Sequence, residues 1–135
     1  ADIWSCPSFN ELKRDGDEVS RWNLLHPDKK ARQCHVTQCL ESTEGPVVAA
    51  TDYVKLFADQ IRAYVPRSYA VLGTDGFGRS DSREALRKHF EVDRYYITIA
   101  ALNELVGEGG ISAKTVKAAI KKYGIDSEKN NPLLS

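Results

Sequence analysis

The sequence predicts an α/β fold, a three-layer α/β/α arrangement around a mainly parallel sheet, and three observations carry that expectation. Short apolar runs, too brief for helices, alternate with segments whose apolar residues recur every three or four positions. Two of those runs, around Val47 and around Tyr69, are continuous in apolar character rather than alternating, as befits strands buried on both faces. Proline or glycine borders each run and separates one element from the next.

The first strand is expected at residues 2–6, where Ile3 and Trp4 open an apolar, β-prone stretch that Pro7 closes because proline cannot continue a ladder. Ser8 and Glu11 then stand at capping-box spacing, and Phe9 with Leu12 gives the apolar face of a short helix ending near Asp15 and Gly16. A second short helix runs from Val19 to His26, with Trp22 and Leu25 on one face and Pro27 as its stop. Val36 and Leu40, four apart, fit a further helical turn between Gln33 and Leu40, with an extended connector as the alternative.

The second strand is expected at residues 47–51, after the punctuation of Gly45 and Pro46. Thr51 or Asp52 caps a helix whose Val54, Phe57, Ala58, Ile61 and Val65 form one apolar stripe, and Pro66 ends it. The third strand, residues 69–74, leads into a glycine-rich loop. Ser80 or Asp81 starts the next helix, with Asp81 and Glu84 again at capping-box spacing and Leu86 and Phe90 on one face. The stretch from Tyr95 to Ile99 has strand composition, yet its surroundings predict a helix. Asp93 is a good N-cap, Ile97, Ala101 and Leu105 repeat every four residues, and Gly107 stands where a left-handed helix end wants glycine. Ser112 caps a last helix with the stripe Val116, Ile120 and Tyr123, Gly124 ends it, and residues 125–135 form a tail.

At 135 residues the chain fits one domain with a real core. Nineteen basic and nineteen acidic residues leave no net charge, which argues against nucleic acid or an anionic membrane surface as a partner. Three cysteines, Cys6, Cys34 and Cys39, have no framework spacing, so a reducing, cytoplasmic setting is expected. No apolar run approaches the ~20 residues that cross a bilayer.

Three constellations invite chemistry. Gly73, Gly76 and Gly78 ahead of a helix could cradle a phosphate, but their spacing is not the dinucleotide fingerprint, and a tight turn explains them better. Cys34, His35 and Cys39, with Cys6 as a remote fourth, lack the paired spacing of a zinc site, so no metal site is assigned. His26, His35 and His89 are candidate general bases, as the histidine side chain can exchange a proton near neutral pH, but they have no nucleophile or acidic partner in sequence, and none is assigned as catalytic. His89 is expected at a helix C-terminus, where positive charge is favoured.

Several strings carry a resemblance: Trp4-Ser5 with Ser8-Phe9; Arg21-Trp22-Asn23 with Leu25-His26-Pro27; Ala50-Thr51-Asp52-Tyr53 with Lys55-Leu56-Phe57-Ala58; and the long run from Leu72 to Glu84, continuing to Asp93. With these the chain resembles, over nearly its whole length, the C-terminal domain of homodimeric, bacterial-type pyruvate dehydrogenase components, itself similar to the third domain of transketolase. The resemblance implies a single partial domain, residues 1–135, lacking its first strand and helix. It implies a parent enzyme, cytoplasmic and part of a multienzyme complex of glycolytic metabolism, that decarboxylates pyruvate on thiamine diphosphate with magnesium and passes the acetyl group to a lipoyl group of dihydrolipoyl acetyltransferase. Cofactor and catalytic residues would lie in other domains and none in this fragment, whose partners would be the remaining domains of its own enzyme and a second subunit. The loop residues Asp75, Phe77, Gly78, Arg79 and Ser80 would make that contact, Phe77 as the apolar anchor and Arg79 as the polar one. The rival expectation is a free-standing regulatory module with this fold that binds a small anion or a partner protein.

Overall fold

Val47 to Ala50 form β1 (Val47–Ala50), which pairs in parallel with β2 (Tyr69–Leu72), Val47 opposite Tyr69 and Ala50 opposite Leu72. The computed structural model describes all 135 residues, and the α/β class with a parallel sheet holds, as a sheet of two strands. The chain forms two compact units. One comprises Ala1–Glu44 and Leu56–Pro66, the other Gly45–Lys55 and Arg67–Ser135.

In the first unit, α1 (Phe9–Leu25) and α2 (His35–Glu41) pack together with the helical turns of residues 56–64. Ser8 caps α1 by accepting the Glu11 backbone N–H at 3.2 Å. Its core is small: Cys34, Val36, Ala58, Ile61 and Val65 are buried. In the second unit, α5 (Arg94–Gly107) lies on both strands and against α6 (Ala113–Lys122), with Tyr95 and Tyr123 ring centroids 5.0 Å apart. Asp93 opens α5 by accepting the backbone N–H groups of Tyr95 and Tyr96 at 2.9 and 3.0 Å, a cap worth about 1 kcal/mol. Tyr69, Val92, Val116 and Pro132 are buried in this unit.

Five expectations are corrected. Residues 2–6 form no strand, since no neighbouring strand pairs with them and Ile3 is 97% exposed; β-propensity needs a partner surface to act on. Gly16 does not end a helix, and α1 runs unbroken to Leu25 because Gly16 makes room for the Tyr64 ring. The helix expected from Thr51 begins only at Lys55, as α3 (Lys55–Asp59), and gives way to a 3-10 turn at Arg62–Tyr64. The backbone before it is engaged elsewhere, Thr74 donating from N to the Tyr53 carbonyl at 2.9 Å and from Oγ1 to the Asp52 carbonyl at 2.7 Å. In α4 (Arg83–His89), Ser82 is the cap, accepting from Ala85 N at 3.2 Å, while the Asp81 carboxylate takes the Ser82 N–H at 2.7 Å. Finally, Gly107 stays inside α5, and the left-handed residue is Gly109.

Candidate docking surface

The loop after β2 crosses the strand end of its own unit at backbone contact. A Cβ on Gly73 would stand 2.7 Å from the Tyr53 carbonyl oxygen and 2.8 Å from Lys55 N, so only glycine fits. Asp75 Oδ1 accepts the Lys55 N–H at 2.8 Å and satisfies a free donor at the start of α3. Gly76, at φ +111°, rests on the Pro132 carbonyl of the terminal 3-10 turn, Pro132–Leu134. These contacts fix the loop as a buckle, and they account for Gly73 and Gly76 without a phosphate. Nine residues separate Gly73 from the start of α4, so the loop does not lead directly into a helix N-terminus.

Of the five residues expected to make contact, Asp75 is turned to this internal task, whereas Phe77, Gly78, Arg79 and Ser80 are exposed in sequence. Phe77 is 78% exposed. Tyr53, Val54, Leu133 and Leu134 are also exposed, and the Gly73 and Gly76 contacts bring their backbones to this loop. Phe77 and these residues are thus exposed apolar side chains on segments that meet at the loop. Sequence reasoning missed Leu133 and Leu134 because the contact of Gly76 with Pro132 and Leu133 joins positions far apart in the chain.

Beside Phe77 lies an open groove of about 460 Å³ between the loop and α4, lined by Arg79, Arg83, Arg87, Leu86, Phe90 and Val92, with Asp52 and Asp81 also on its wall. Arg83 and Arg87, four apart, share one helix face, a signal that was legible in the sequence. Arg87 meets Asp52 at 3.6 Å.

The histidines and cysteines do not converge on a site. His26 caps the end of α1, stacks on Trp22 with centroids 4.3 Å apart and donates from Nδ1 to the Trp22 carbonyl at 2.8 Å. His89 lies in the last turn of α4, as expected, and burial, and then the charges of Arg79 and Lys129, push its pKa down. Cys39 Sγ sits 3.4 Å from His35 Nε2, whereas Cys34 Sγ is buried against Thr37 Oγ1 at 3.2 Å. Burial raises the Cys6 thiol, opposed by a backbone hydrogen bond at Ser8. No three His, Cys, Asp or Glu side chains gather in a metal-binding group, and no helix is long and apolar enough to cross a membrane.

Comparison with known proteins gives a consistent answer. The profile of the transketolase-like TK C-terminal domain matches residues 1–93. The chain is similar to the pyruvate dehydrogenase E1 component of Pseudomonas aeruginosa, 60% identical over 134 residues that cover 98% of this chain and 15% of that protein. It is similar to the E1 component of Cupriavidus necator, 59% identical over 133 residues with the same two shares, and to that of Escherichia coli K12, 54% identical over 136 residues covering 100% and 15%. The chain thus spans about 15% of the length of the curated relatives it matches.

Proposed function

The chain belongs to the transketolase-like TK C-terminal domain family, and on that premise we propose that it is the assembly region of a pyruvate dehydrogenase E1 component, without catalysis of its own. The observation that carries this reading is the match itself: 60% identity across 98% of these residues, within 15% of a much longer relative. The parent enzyme then decarboxylates pyruvate on thiamine diphosphate with magnesium, in the cytoplasm, as a homodimer, and delivers the acetyl group to the lipoyl group of dihydrolipoyl acetyltransferase. The residues here do not fit either cofactor. Gly73 and Gly76 are filled by backbone contacts, and no acidic cluster is present for a metal ion.

The fragment's share is to dock through Phe77 and its apolar neighbours, with Gly78, Arg79 and Ser80 at the edge and Asp75 holding the loop in shape. Two features support it: the exposed apolar surface around the buckled loop, and the absence of any large side chain that is fully buried. A domain with so thin a core gains by being covered.

A chimaera tests the reading. The matched region of the Pseudomonas aeruginosa relative is replaced by this chain, and thiamine-dependent pyruvate decarboxylation and dimer mass are measured. Retained activity is expected, with Phe77→Asp weakening assembly, while the isolated chain turns over no pyruvate. Turnover by the isolated chain, or an inactive but folded chimaera, would contradict the assignment.

A further inference from the structure

We propose that the groove between the residue 74–79 loop and α4 binds a carboxylate carried beside an apolar group, clasped by Arg79 and Arg83 over Leu86, Phe90 and Val92. The guanidinium groups come from two directions. Arg83 and Arg87 stand one turn apart on α4, and Arg79 reaches the same space from the loop. Their commitments differ. Arg87 has Asp52 at 3.6 Å, whereas Arg79 and Arg83 form no hydrogen bond or ion pair. Two free planar donor forks facing one space match the two oxygens of a carboxylate.

The rest of the lining selects among anions. Asp52 and Asp81 stand on the same wall, and Asp81 is already engaged with the Ser82 N–H. Two fixed carboxylates penalise a doubly charged phosphate more than a singly charged acid. Leu86, Phe90 and Val92 supply an apolar base that a bare inorganic anion leaves unused. The charge of Arg79 is felt locally, since it helps depress the pKa of His89 on α4.

A free organic acid and an Asp or Glu side chain next to an aromatic or aliphatic residue of a polypeptide present this same chemistry. The inference deepens the docking reading by naming what its polar anchor takes, and it rests on that reading only for the polypeptide source.

The test is a backbone-amide NMR titration of the 135-residue chain with 3-phenylpropionate and with N-acetyl-aspartyl-phenylalanine amide. Their neutral counterparts, 3-phenylpropanamide and N-acetyl-asparaginyl-phenylalanine amide, and inorganic phosphate serve as comparisons. Saturable shifts at Arg79, Arg83 and Phe90 are expected, weakened about tenfold in the neutral probes and in a double variant, Arg79→Gln with Arg83→Gln, whose spectrum stays dispersed. Lys117→Gln on α6 should bind as the parent does. Tighter binding of the dipeptide supports a polypeptide source, and tighter binding of phenylpropionate supports a free acid. Equal binding of charged and neutral probes, phosphate binding as tightly as either acid, or no shift at tens of millimolar would overturn the proposal. None of these outcomes depends on Phe77, so failure of the chimaera and failure of the groove are told apart.

Discussion

The ring of Tyr64 lies against the backbone of Gly16, so close that a Cβ there would stand 2.3 Å from Cε2. The ring cannot swing aside without loss, because its hydroxyl donates to the Asp17 carboxylate, which also accepts from Lys13. In an exposed helix interior, Gly→Ala adds roughly 0.5–1 kcal/mol of stability. Here Gly16→Ala should instead destabilise by about 1–3 kcal/mol through overpacking. Urea unfolding of Gly16→Ala in the parent and in a Tyr64→Ala background checks this: the sign should reverse once the ring is gone, and the same effect in both backgrounds would show that the ring is not the cause.

The same cluster sets a pH dependence. Hydrogen bonds from Lys13 and then Tyr64 hold the Asp17 carboxyl below its ordinary value. A depressed acid contributes stability above its unfolded pKa, about 3.9 for Asp, and that contribution fades as pH falls through the folded value. Hydrogen bonds to Asp17 raise both Lys13 and Tyr64, so their contribution is complete below about pH 10 and fades as pH rises through the raised values. The groups are exposed, so the effect should be small and salt-sensitive. Unfolding midpoints measured at low salt should show Asp17→Asn losing less stability than the parent between neutral pH and pH ~3. Parallel pH curves for the two proteins would count against the cluster.

What could be read from sequence was what is encoded locally. Asp93 with the four-residue repeat of Ile97, Ala101 and Leu105 outweighed the strand-like composition of Tyr95 to Ile99, and the helix is there. Val47–Ala50 and Tyr69–Leu72 were short, continuous and bounded, and they pair. What depends on a distant partner escaped: Gly16 looked like a terminator because Tyr64 lies far along the chain, and the hydrogen bond from Lys55 N to Asp75 joins positions twenty apart. For the candidate surface, Phe77 and Arg79 were legible as exposed loop residues, but nothing local announced Leu133 and Leu134 beside them.

The loop glycines should separate by their surroundings. At Gly73 a Cβ meets backbone on both sides, Tyr53 O at 2.7 Å and Lys55 N at 2.8 Å, and backbone cannot yield as a side chain can. At Gly78 nothing lies within 4 Å. Gly73→Ala should therefore cost about 2 kcal/mol or more, while Gly78→Ala should stay within about 0.5 kcal/mol of the parent. Denaturant midpoints for the two variants decide it, and equal values would remove the buckle from the account of this loop.

At the end of α4, Glu91 holds the left-handed conformation, φ 61°, that glycine ordinarily supplies, and Lys129 Nζ ties it down by donating to Glu91 Oε1 at 3.1 Å and to the His89 carbonyl at 2.8 Å. A side chain in this region costs about 1 kcal/mol, more than a half-exposed ion pair returns. Glu91→Gly should thus stabilise by roughly 0.5–1 kcal/mol, whereas Glu91→Ala keeps the strain, loses the pair and should fall below the parent. Lys129→Met should cost about 1 kcal/mol by leaving the His89 carbonyl without its donor. The order expected from thermal and urea unfolding is Glu91→Gly, parent, Glu91→Ala. If the glycine variant proved no more stable than the alanine one, backbone strain at this position would carry no weight, and the Lys129 contacts alone would have to account for how the tail is held.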